Sequence, residues 1–198
     1  EGEGGGRRGK NSTRFSVLFL NARSLKHKIS ELQEYVECLE NQPKVICINE
    51  TFNNKNVSDS QIALQGYELI ARRDGTDTEG GRCRGLAIYV EEGLGAVRTK
   101  HPGEEGVVEA ATVEISWGGG KKLTICEVYR KQNNVQNTVK LLEYLARLPD
   151  QTVTVGDFNF PNISWEEGRF CGGEEVPGAV GGEGLGAEGE GGHPAPGG

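Results

Sequence analysis

The stretch Val153-Thr154-Val155-Gly156-Asp157-Phe158-Asn159-Phe160-Pro161-Asn162-Ile163-Ser164-Trp165 decides how this chain is read. A short β-branched run stops at Gly156-Asp157-Phe158-Asn159. That is the pattern of a buried strand delivering a carboxylate and a carboxamide to the mouth of a turn. In an extended segment, residues i and i+2 point to the same side. Asp157 and Asn159 are therefore expected to converge on one small ligand while Phe158 enters the core. A carboxylate orients water or accepts a proton, and a carboxamide donates to a phosphate oxygen. The same residues also fit an Asx-stabilised turn that merely ends a core strand. Both readings stand at this point.

Upstream of that strand, Val135, Val139, Leu142 and Leu145 predict a helix with one apolar face. At the other end of the pattern, Phe15–Leu20 reads as a buried strand. Leu25, Ile29, Leu32, Val36 and Leu39 then step by four and three, as in an amphipathic helix. Ser24 is placed to cap it and Asn41-Gln42-Pro43 to stop it. Val45–Asn49 is a second strand, which makes the first unit β-α-β and parallel. Tyr67–Ala71, Leu86–Val90, Glu109–Ile115 and Leu123–Tyr129 predict further strands, with Gly118-Gly119-Gly120 turning the last two into an antiparallel hairpin. The class is α/β with mixed pairing.

Composition bounds the rest. The chain has 198 residues and a formal net charge of −7, from 22 Lys+Arg against 29 Asp+Glu. From Gly168 onward, five Glu against Arg169 give −4, which leaves −3 for everything upstream. A nearly neutral body gives no general electrostatic argument for nucleic acid. Any phosphate-binding surface is local, with Arg72, Arg73, Arg82, Arg84, Arg130 and Lys131 as candidates. The five scattered cysteines lack CxxC spacing and fit neither a disulfide framework nor a zinc site. Cys47 and Cys126 are expected as small buried hydrophobes. This predicts a reducing compartment, nuclear or cytoplasmic. No apolar run is long enough for a membrane span, so no membrane partner is expected. Residues 1–13 read as a disordered Gly-rich arm, 14–167 as the folded domain, and 168–198 as a disordered Gly/Glu-rich tail. The absence of any Met predicts a fragment or a conceptual translation.

Other polar residues fall where Asp157 does. Asn21 follows the first strand in Leu20-Asn21-Ala22-Arg23-Ser24-Leu25, Glu50 follows the second in Cys47-Ile48-Asn49-Glu50-Thr51, and Tyr129 ends Leu123–Tyr129. Each alone fits a turn, a surface acid or a core edge. Carboxyl ends of strands are also where open α/β sheets place their sites.

Asn21, Glu50, Tyr129, Asp157 and Asn159 in these settings resemble the endonuclease/exonuclease/phosphatase superfamily. The resemblance is nearest to the apurinic-endonuclease-like domain of non-LTR (LINE-type) retrotransposons and runs over about residues 14–166. It implies a four-layer α/β sandwich of DNase I-like fold, Mg²⁺ (or Mn²⁺) as cofactor, DNA as partner, and phosphodiester cleavage; the oligomeric state is left open, with a monomer expected. Mg²⁺ takes oxygen ligands and keeps several waters, so Glu50 and Asn21 are the expected metal residues. Tyr129, Asp157 and Asn159 are the expected catalytic residues: Tyr129 to donate to a phosphate oxygen, Asp157 to orient or deprotonate water, Asn159 to hold water or phosphate.

The chain departs from that pattern. The superfamily carries a C-terminal Ser-Asp-His, whereas His27, His101 and His193 follow no Ser-Asp and read as exposed bystanders. The second half of the sandwich is expected to be truncated, and the Val153 strand to begin a second sheet whose partners lie outside this sequence. The implied endonuclease is therefore expected to be impaired. Two alternatives remain open: a non-catalytic remnant with weak metal or nucleic-acid binding, and a phosphatase of the same superfamily acting on a small phosphate ester.

Overall fold

A computed structural model describes residues 15–75, 77–78, 81–102, 104, 109–117, 120–131, 135–160, 163–164 and 169–170. The arm 1–13, the tail other than 169–170, and His193 and Cys171 with it, lie outside the described residues. Strand β1 (Val17–Asn21) runs parallel to β2 (Val45–Asn49), with helix α1 (Ile29–Glu37) between them. This is the β-α-β unit that the periodicity predicts. Strands β3 (Tyr67–Arg73) and β6 (Leu86–Glu91) complete a first sheet in the order β1-β2-β6-β3, and the short ribbon β4 (Asp77–Thr78) with β5 (Gly81–Arg82) lies between them in sequence. A second sheet has the order β10-β9-β8-β7, from β7 (Gly95–Thr99), β8 (Glu109–Trp117), β9 (Lys121–Tyr129) and β10 (Thr152–Asp157). Helix α2 (Val135–Leu145) connects β9 to β10, and β11 (Ile163–Ser164) pairs with β12 (Arg169–Phe170).

Three apolar layers hold four structural layers together. Val45, Cys47, Ile88 and Val90 of the first sheet meet Ala111, Val113, Ile115 and Ile125 of the second. Leu25, Leu32 and Val36 pack on the outer face of the first sheet against Ile46, Ile48 and Tyr89. Leu141 and Tyr144 of α2 pack on the outer face of the second, against Ala110, Cys126 and Val128. Helix, sheet, sheet, helix is the four-layer α/β sandwich with mixed pairing. Cys47 and Cys126 are fully buried, and Cys38, Cys47, Cys83 and Cys126 are free thiols.

Three expectations are corrected, and one strand is added. The first helix begins at Ile29, because Leu25–His27 forms a separate 3₁₀ turn and Ser24, at φ 92°, makes no side-chain cap. The face of α2 is rotated: Asn137, Thr138, Leu141 and Tyr144 are buried while Leu142 is exposed. Buried polar residues at 137 and 138 hide that face from an apolar periodicity. The Val153 strand does not begin a new sheet. Its crossover through α2 lays β10 parallel beside β9, with Asp157 opposite Tyr129. Finally, β7 had no counterpart in the sequence pattern.

Strands β1 and β10 stand at the ends of their sheets and approach each other. Both are only partly buried, in contrast to β2, which is buried throughout.

Candidate active site

Strands β1, β2, β9 and β10 bring their carboxyl ends to one side of the sandwich, and β6 and β8 begin there. Asn49 lies opposite Leu86, and Tyr129 opposite Glu109. Backbone bonds lace the loops together: Ser24 N–H donates to Glu50 O at 3.0 Å, Leu25 N–H to Thr51 O at 2.9 Å, and Arg130 N–H to Asp157 O at 2.9 Å. The two sheets are joined beneath them by Asn49 Nδ2, which donates to Val128 O at 3.0 Å.

The backbone is strained here. Every non-glycine residue with positive φ among the described residues lies in one of these loops: Arg23 (48°), Ser24 (92°), Glu50 (56°), Phe52 (49°) and Asn159 (48°). Such conformations are uncommon for residues with a Cβ and persist where surrounding structure over-determines them. Two glycines are required by close approach. A Cβ on Gly156, at φ 153°, would stand 1.9 Å from Val128 O, and one on Gly85, at φ 83°, would stand 2.5 Å from Thr51 Oγ1.

Four of the five residues singled out from the sequence meet in this space. Asn21 Nδ2 donates to Asp157 Oδ2 at 3.2 Å, which links the end of β1 to the end of β10. Glu50 is buried and paired with Arg84 Nη1, and its other oxygen lies 3.8 Å from Arg23 Nε. Arg84 in turn lies over the Tyr129 ring, 5.3 Å from its centroid. Burial raises the pKa of the Tyr129 phenol. Arg84 opposes that shift, and Glu50, Asp157 and Glu109 add to it, so all four charged groups are within electrostatic reach of one hydroxyl. The phenol consequently stays a donor at neutral pH.

Asn159 is placed differently. Its left-handed backbone takes it out of the strand alternation, and its Nδ2 donates to Arg130 O at 2.7 Å. Its own N–H donates to Asp157 Oδ1 at 3.1 Å, an Asx turn. Phe158 packs against the α2 core, as expected.

Several residues of this region were not singled out. Glu109 accepts the N–H groups of Arg84 (3.1 and 2.9 Å) and Gly85 (2.9 Å), pinning the start of β6 to the start of β8. Arg130, named only as a possible phosphate ligand, is a buried clamp. It donates to Thr138 Oγ1 at 3.2 and 2.8 Å, to Phe158 O at 3.3 Å and to Asn159 O at 2.7 Å, and it lies 4.0 Å from the centre of the Phe160 ring. Asn49, a polar residue closing an all-apolar run, was the one legible signal among these.

Two of the other candidate cations, Arg72 and Arg73, are engaged elsewhere. Arg72 pairs with Asp59 and Asp74, each at 2.6 Å, and Arg73 donates to Glu104 O at 2.8 Å. His27 is exposed, as expected. His101 is not: it is half-buried, with Nε2 shut away from solvent and without a hydrogen-bond partner. No cluster of three or more His, Cys, Asp or Glu side chains suited to a metal occurs among the described residues. None of their helices is long and apolar enough to cross a membrane.

No protein-family model matches the sequence, and no curated protein is similar to it at a significant level. Solved structures are similar in fold. The AP endonuclease LMAP from Leishmania major superposes with a TM-score of 0.53 at 22% identity, over 72% of this chain and 54% of that one. An AP endonuclease from Archaeoglobus fulgidus gives a TM-score of 0.53 at 18% identity, over 76% of this chain and 60% of that one. The fold is DNase I-like. At these identities the likeness establishes the fold alone, and the chain spans less than two thirds of the length of either DNase I-like enzyme.

Proposed function

We propose that this chain carries the DNA endonuclease domain of a LINE-type retroelement, cleaving phosphodiesters with Mg²⁺ or Mn²⁺. The observation that carries the reading is the contact between Asn21 and Asp157 at 3.2 Å. It brings together two residues 136 positions apart, from different sheets, with Glu50 and Tyr129 beside them. The donor set suits a hard cation, which needs only one or two carboxylates and retains water. Glu50 and the Oδ1 of Asn21 would hold it. When bound, the metal would stabilise charge on the phosphoryl oxygens and the leaving group.

The chain's own groups divide the remaining work. Asp157 is held at both oxygens, by Asn21 Nδ2 and by the N–H of Asn159. A carboxylate so fixed can orient a water and take its proton as the oxygen attacks phosphorus. Tyr129, kept protonated, donates to a non-bridging phosphate oxygen. Asn159 acts through its backbone, because its carboxamide already serves the Arg130 carbonyl.

A second reading, a non-catalytic remnant, is favoured by one observation: both oxygens of Glu50 face arginines. Nicking of supercoiled plasmid separates the two. This chain and a form extended with a complete C-terminal half of the superfamily should both nick in Mg²⁺ and stop in chelator, the shorter one weakly. Asp157→Ala should abolish nicking in both. Nicking that survives Asp157→Ala would refute the site assignment, and no cleavage by either form would leave the remnant.

A further inference from the structure

Glu50 is the expected metal carboxylate, yet its side chain is only 7% exposed and already neutralised. A buried carboxylate with no partner is costly, and two guanidinium groups answer that need. They are not equivalent. Arg23 is 83% exposed and 3.8 Å away, a weak and solvent-screened partner. Arg84 donates directly to Glu50 Oε1, and its position is built into the fold. The Glu109 carboxylate grips its backbone N–H, the tight Gly85 follows it, and its guanidinium rests over Tyr129. Its side chain is nevertheless 44% exposed, so the guanidinium has an open route away from Glu50.

We propose that Arg84 is an internal counter-ion of Glu50 that competes with a divalent cation for the same carboxylate, so that cation binding requires the guanidinium to leave. The inference rests on the metal reading above. One cation replaces another, and Glu50 is neutralised in both states. A divalent cation on Glu50 would repel a guanidinium in direct contact with the same carboxylate far more strongly than it would the distant, solvent-screened Arg23. Arg84 thus sets how much free cation the site needs before it fills.

The test is Mn²⁺ binding to the full chain, measured by calorimetry and by the paramagnetic resonance of free Mn²⁺ at neutral pH and low salt. Wild type, Arg84→Gln, Arg84→Lys, Arg23→Gln, Glu50→Gln and the double variant Arg84→Gln/Glu50→Gln are compared, with circular dichroism as the check on folding. Arg84→Gln should tighten Mn²⁺ binding about tenfold or more, and Arg23→Gln should change it by less than about threefold. Glu50→Gln and the double variant should lose this binding. Arg84→Lys keeps the charge but loses the planar fork, so it should give a smaller gain, and it carries the test if Arg84→Gln does not fold. Glu50-dependent binding in wild type that Arg84→Gln leaves unchanged or weakens would overturn the proposal while sparing the metal reading. A gain that persists in the double variant would also overturn it. Absence of Glu50-dependent binding in every protein would remove the metal reading and this inference together.

Discussion

Replacing Glu127 should stabilise the protein, and the gain should grow with pH. Glu127 sits in β9 between Ala111 of β8 and Val155 of β10, fully enclosed, and neither carboxyl oxygen has a hydrogen-bond partner. Burial raises its pKa well above the ordinary carboxyl value of 4.5. The folded state therefore keeps a proton that the unfolded chain releases, and linkage makes stability fall as pH rises above about 4.5. The maximal slope for one group is about 1.4 kcal/mol per pH unit. Between pH 5 and 7 this single residue should therefore make stability fall, at a slope no steeper than that limit. Glu127→Gln keeps the shape and removes the slope. Glu127→Leu also removes the unpaired polar atoms, worth about 1–3 kcal/mol at pH 5 and more at pH 7. Urea unfolding followed by circular dichroism at several pH values reads both effects, and the comparison with wild type cancels the titration of other groups. Parallel wild-type and Glu127→Gln profiles from pH 5 to 8, or a Glu127→Leu protein no more stable than wild type, would refute the reasoning.

Gly156→Ala should destabilise by about 2–6 kcal/mol, from a conformation reserved for glycine and overpacking against Val128 O. A thermal midpoint close to wild type would show that the approach of β10 to β9 is not as tight as 1.9 Å implies. Arg130→Ala should free the turn after β10, raising hydrogen exchange and proteolysis near Asn159 before global unfolding. Arg130→Lys should rescue this poorly, because one ammonium cannot span Thr138 Oγ1 and two carbonyls in the fixed geometry of a guanidinium; full rescue would mean that the charge alone matters.

Much of the sandwich was written in local pattern. Leu32 and Val36 face Ile46 and Ile48 because a 3.6-residue period and a β-branched run each declare their buried side. What escaped was determined by distant partners. Strand β7 is a half-exposed edge, Gly95-Ala96-Val97-Arg98-Thr99, and becomes a strand only because β8 pairs with it. The buried face of α2 includes Thr138 because Arg130 requires its hydroxyl, a demand that no hydrophobic period records. Arg84 looked like any solvated cation, since Glu50 lies 34 residues away in sequence. Glu109 read as the first residue of a strand, and its two backbone partners, Arg84 and Gly85 in the loop before β6, left no trace in its own segment.

The Asp157 turn shows how two readings of one stretch can both hold. The sequence offered an Asx turn or a ligand-facing carboxylate as alternatives. In the fold, Oδ1 makes the Asx bond to Asn159 N–H, and Oδ2 meets Asn21. The first bond costs the site nothing, because a carboxylate has two oxygens and accepts at each. It also fixes the direction of the second. Asn159 also adopts a left-handed backbone, which ends the strand alternation and sends its own carboxamide to Arg130 O. The expected convergence of two side chains on one ligand thus gives way to a division of labour: one residue presents a carboxylate, and the other holds it still.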